Sequence, residues 1–198
     1  MARDTTERHR QVCLRAVDSS VVLRRAPRLR RLEAVDGAGV VRIEDRYNTD
    51  IDDLWQAITD PRRLSRWYGE VTGDLRSGGE FQEYIPDAGL TSAGRIEACE
   101  PPTLLVTSRE TDESWQNGTG AKPFDGVTEA TLTADGDQTI LAIEARGLPR
   151  DKLAAYGAGW QIHAENLAAH VYGLEIGDAG ERWQALAPAY DDLTAHLG

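Results

Sequence analysis

The chain has 198 residues, of which 40% are hydrophobic and 28% charged, which suits one packed domain and leaves too little length for two. Its formal net charge of −11 is unevenly held: residues 1–36 carry nine Arg against five acids, and the remainder is strongly acidic. An acidic body argues against nucleic acid as a partner, and no stretch approaches the roughly 20 apolar residues of a membrane span.

Residues 1–20 lack the apolar run of a secretory signal, so the composition reads as that of a cytoplasmic protein. Cys13 and Cys99 make no disulfide framework and lack metal-ligand spacing. Residues 1–38 read as a basic, poorly ordered arm around Arg24-Arg25-Ala26-Pro27-Arg28-Leu29-Arg30-Arg31. Two other readings of this arm stand beside that one. Translation could start at Val40 or Val41, or the arm could touch an acidic partner.

From Val40 the pattern becomes regular. Val41 and Ile43 alternate with Arg42 and Glu44, as in a strand with one wet face. Asp50 then predicts a helix start, followed by Ile51, Leu54, Trp55 and Ile58 on one stripe. Asp60-Pro61 restarts the pattern for a second short helix, whose apolar side is Leu64 and Trp67. Further strands are predicted over 81–85, 93–99, 103–110, 127–134 and 138–145, the last two joined by the hairpin signal Asp135-Gly136. Residues 111–126 read as a long loop carrying Trp115 and Phe124.

The period turns helical from about Asp151 to Tyr172, where Leu153, Tyr156, Trp160, His163, Leu167 and Val171 step by three or four. A second stripe, Trp183, Leu186, Tyr190, Leu193 and Leu197, follows in a helical tail. The chain thus divides into an arm (1–38), a domain (39–175) and a tail (176–198). The tail either covers the domain or meets a second copy in a homodimer. Hairpins with helices segregated at the ends make an α+β fold, in which the long helix lays its stripe on a curved antiparallel sheet.

The run Ile51-Asp-Asp-Leu-Trp55-Gln-Ala-Ile-Thr-Asp60-Pro61…Leu64-Ser-Arg-Trp67-Tyr68 resembles the opening of START-like helix-grip (SRPBCC) proteins, and most of all the bacterial branch related to the activator of the heat-shock-protein-90 ATPase. Gly73-Asp74-Leu75-Arg76-Ser77-Gly78-Gly79-Glu80-Phe81, Gly147-Leu148 and Gly159-Trp160-Gln161-Ile-His163…Leu167 match the same branch. The resemblance implies a seven-stranded sheet around the C-terminal helix, with a cavity between them. Six strands are predicted from the residues, so one is split or missed, with its place expected near 113–120. Members of the superfamily bind lipids, polyketides, hormones and other apolar molecules, and a minority are enzymes.

The candidate lining of such a cavity draws on both layers. From the short helices and strands come Trp55, Trp67, Phe81, Tyr84 and Trp115. From the long helix come Tyr156, Trp160, His163 and Leu167. Aromatic side chains suit an apolar pocket, although the same residues could equally be core. His163 is the most informative polar residue: it could bond a ligand, act as an acid or base, or be a satisfied core histidine. Its possible strand partners are Glu83, Glu97, Glu110, Glu129 and Glu144. The glycines before Trp160 would let a ligand or a strand approach the helix.

No cofactor is expected. His163 and His170 lie about 10 Å apart along a helix axis, too far to share a metal ion. The H-x-E of His163-Ala164-Glu165 lacks the P-C-x-x-C of zinc deaminases, and no G-x-S-x-G elbow is present. The sequence therefore favours a non-enzymatic module for a small apolar or amphipathic molecule. The alternatives are a cyclase- or hydrolase-type enzyme pairing His163 with a strand Glu, and an interaction protein that stimulates a chaperone ATPase.

Overall fold

The structure, a computed structural model, describes residues 28–110, 124–195 and 197. Eight strands form one antiparallel sheet: β1 (Arg28–Val35), β2 (Ala38–Tyr47), β3 (Glu70–Gly73), β4 (Glu80–Ile85), β5 (Leu90–Glu100), β6 (Thr103–Glu110), β7 (Asp125–Asp135) and β8 (Gln138–Leu148). Their spatial order is β1-β2-β8-β7-β6-β5-β4-β3, so β1 and β3 are the open edges. Two short helices, α1 (Ile51–Thr59) and α2 (Pro61–Leu64), follow β2; the long α3 (Leu153–Val171) and the tail α4 (Ala179–Thr194) close the chain.

The helix starts follow their caps. Asp50 accepts from the Asp53 amide, Asp60 from Arg62 and Asp178 from Glu181, each satisfying a main-chain donor that the first helical turn leaves open.

Two strands depart from the sequence expectation. The arm expected over 1–38 contains β1, paired with β2 from Arg28↔Glu44 to Val35↔Ala38. The connecting turn is Asp36-Gly37, both at positive φ (50° and 84°), the geometry that a two-residue hairpin demands. The other unforeseen strand is the four-residue β3. The missing strand was expected near 113–120, which lies outside the described residues.

Two apolar clusters hold the layers together. In the first, Leu32, Val41, Ile43 and Ala145 from the sheet meet Leu153, Ala158 and Ile162 of α3 and Leu186 and Tyr190 of α4. In the second, Leu54, Ile58, Leu64 and Trp67 meet Ala130, Leu132 and Leu141 of the sheet and Leu167 of α3. Trp67 is fixed there by its indole N–H, which donates to the Ala57 carbonyl at 3.0 Å.

The helix α3 is buried on more than the one stripe its period suggests. Its second face carries Gly157 and Gln161, and α4 lies on it. The buried Tyr190 hydroxyl donates to Gln161 Oε1 at 2.6 Å, and Arg182 forks onto Glu165 at 2.7 and 2.6 Å. The tail thus covers the domain. Gly157 faces the Tyr190 ring of α4 and Leu32 of β1: a Cβ built there would lie 2.5 Å from Cε1 and 3.1 Å from Leu32 Cδ2.

On the sheet's other face the strand carboxylates are spent in ion pairs. Arg42 bridges Glu33 and Glu144 at 2.5 Å each, and Arg146 bridges Glu144 and Glu129 at 3.2 and 3.5 Å. The Arg42 guanidinium beside Glu144 holds that carboxyl below its ordinary range.

Candidate functional site

On the β1–β2 side α3 rests directly on the sheet, whereas over β4–β7 it stands off and leaves space. A cavity of about 690 Å³ opens there, between Ile85, Ser92 and Val127 of the sheet and Tyr156, Trp160 and His163 of α3. That volume falls within the range of small-molecule pockets. Its rim includes Ala179, Gly180 and Trp183, so the first turns of α4 help to frame the entrance. A second, smaller chamber of about 130 Å³ lies toward the short helices, walled by apolar side chains that include Trp67, Phe81 and Val106.

The helix residues at i, i+4 and i+7 reach the larger cavity together. Tyr156 meets Phe124 edge to face at 5.6 Å between ring centroids, and Trp160 meets His163 edge to face at 6.0 Å. Gly159 also lines this cavity, and a Cβ there would meet nothing nearer than Trp183 Cζ3 at 3.9 Å.

His163 is deeply buried, which pushes its imidazole down to about 4 against the smaller upward pull of a hydrogen bond to the Trp67 main chain. It is neutral at pH 7. Its Nδ1 has no hydrogen-bond partner among the described residues. Among the described residues no strand carboxylate bonds this atom.

Among the described strand carboxylates named as candidates, Glu83 is the one on the cavity walls. Its carboxylate accepts from the Tyr68 hydroxyl at 3.0 Å and from the Ser92 hydroxyl. Tyr68 in turn places its ring 4.8 Å from His163 and stacks on Trp160 at 6.4 Å. Burial, then the neighbouring Glu83 charge, pushes the Tyr68 phenol well up, so it stays a donor at neutral pH. Glu129 and Glu144 are held in the outer ion pairs, and Glu97 bonds Thr107 on an exposed surface. The side chain of Glu110 lies outside the described residues.

The remaining sequence candidates divide as follows. Trp67 and Phe81 line the small chamber. Trp55 packs against the second core cluster and lines neither cavity. Leu167 is fully buried in that same cluster, about one turn beyond the cavity. Tyr84 is 44% exposed, because the strand period that turns Phe81 inward turns Tyr84 out and Glu83 in. Trp115 lies outside the described residues.

The polar residues Tyr68, Ser92, Ser108 and Thr128 were not singled out from sequence. Tyr68 directly follows Trp67 in the motif, and Ser92 follows from its register opposite Glu83.

A search of solved structures returns folds of this architecture. CalU16 from Micromonospora echinospora is 28% identical over 86% of this chain and 99% of that one, with a TM-score of 0.66. DynU16, a protein of the dynemicin biosynthetic locus, is 25% identical over 67% of this chain and 47% of that one, with a TM-score of 0.57. The conserved protein EF2215 from Enterococcus faecalis shares the fold at 14% identity, with a TM-score of 0.64. A comparison with curated proteins finds no match. The helix-grip architecture and a family profile that matches residues 48–172 together settle the relationship: the chain belongs to the family described as Activator of Hsp90 ATPase homolog 1-like protein.

Proposed function

We propose that this protein binds a small apolar or amphipathic molecule in the cavity between the sheet and α3. The observation that carries this reading is a space of about 690 Å³ walled by Tyr156, Trp160 and Phe124 and held open by Gly159. Aromatic walls with a few polar groups at fixed points are the usual make-up of such sites. The likeness to DynU16, which belongs to a biosynthetic locus, favours a small product of secondary biosynthesis as the guest. The activity in the family's name does not transfer to this chain on fold alone.

Dye displacement with fatty acids and aromatic polyketides, backed by native mass spectrometry, tests the reading. At least one class is expected to compete, and displacement by none would end it. A Gly159→Leu variant adds the control. The new side chain enters open space, and removing a helix-interior glycine favours folding by up to about 1 kcal/mol. The variant is expected to melt no lower than the parent and to lose at least tenfold in affinity. Retained affinity would place the guest elsewhere.

A further inference from the structure

The two chambers have a common partition. Tyr68, Glu83, Ser108, Thr128 and Trp160 belong to the walls of both. On the far side the walls are almost wholly apolar, and the volume of about 130 Å³ compares with cavities that stay dry and take up a benzene-sized guest. At the partition itself the chemistry changes. A carboxylate with two hydroxyl donors already on it, Tyr68 and Ser92, stands beside the hydroxyl groups of Ser108 and Thr128. A wholly apolar molecule would leave this polar belt without new partners, and a wholly polar one would gain nothing from the inner chamber.

We propose that the guest has two parts: a flat apolar head in the large cavity and a slim apolar arm of about six carbon atoms in the inner chamber, joined by a hydroxyl or amide at the Tyr68–Glu83 partition. This rests on the ligand-binding reading above and adds the shape and polarity of the ligand. The arm reaches the inner chamber by taking the place of the Tyr68–Glu83 contact. The linker donates to Glu83 and accepts from the Tyr68 hydroxyl, so neither partner of the opened contact is left unpaired.

The test uses 2-naphthol and a series of its 3-alkyl derivatives, from methyl to octyl, in which the hydroxyl sits at the junction of head and arm, titrated calorimetrically into the full chain. Each added methylene is expected to tighten binding by about fourfold until about six carbons, after which the gain stops. In Val106→Phe, and separately in Val71→Phe, a ring occupies the inner chamber, and the gain is expected to vanish while 2-naphthol binds as before. Nuclear Overhauser contacts between the arm's terminal methyl and the Val106 methyls supply a measurement that needs no variant. If 2-naphthol binds but longer arms gain nothing, keep their gain in the variants, or show no contact to Val106, the two-part ligand is refuted and the large cavity stands. If no member of the series binds, the ligand-binding reading falls with it.

Discussion

Gly157→Leu is expected to cost the domain about 3 kcal/mol, read as a lower urea midpoint with an unchanged slope. The reason is local. Gly157 lies where α3 meets α4, and any Cβ there runs into the Tyr190 ring and Leu32 Cδ2. The ring has no room to swing away, because it is 2% exposed and its hydroxyl is tied to Gln161. Tyr190→Ala alone leaves a ring-sized hole and is expected to cost about 3–5 kcal/mol. In the double variant the leucine fills part of that hole, so the two losses should fall short of their sum by about 1–3 kcal/mol. Strict additivity would mean that the tail does not dock where it is seen.

The second large effect is acid lability centred on His163. In the unfolded chain the imidazole takes up a proton near pH 6.5, whereas in the fold burial delays this to about pH 4. Between those values the unfolded state holds the extra proton. Stability is therefore complete above pH 6.5 and drains away as pH falls toward 4. A gap of that width corresponds to about 3 kcal/mol. His163→Leu removes this component, so the difference between parent and variant should change by about that amount across the window. His170, lowered by partial burial and by Arg63 and Arg66, remains in both proteins and cancels in the comparison. The carboxyls of Asp53 and Glu144, held down by Arg63 and Arg42, contribute at lower pH and also cancel in the comparison. Parallel stability curves for the two proteins would show that His163 is not buried as described.

How far the sequence could be read depended on how many signals agreed. Around Asp50 and Asp60 a cap, a proline and an apolar stripe all point the same way, and α1 and α2 start where they indicate. Tyr156, Trp160 and His163 were legible as cavity residues because a helical stripe fixes their common direction. The turn Asp36-Gly37 carries the same dipeptide as Asp135-Gly136, but it sits in a basic stretch where composition outweighed the turn signal. The edge strand β3 is too short for any alternation to register.

The error at Tyr84 is of another kind. Preference for an aromatic residue overrode the period-two rule, which starting from Phe81 already turns Glu83 inward and Tyr84 outward. Glu83 and Tyr68 then meet because β3, which starts two residues after Tyr68, pairs with β4. That juxtaposition is a tertiary fact with no local signature.

The tail helix has one more consequence. The same α4 that is clamped to α3 through Arg182 and Glu165 also brings Ala179 and Trp183 to the entrance of the large cavity. Occupancy and tail docking then share one free energy: a guest that leans on Trp183 tightens the clamp, and anything that loosens the clamp is felt as weaker affinity, by the same factor in both directions.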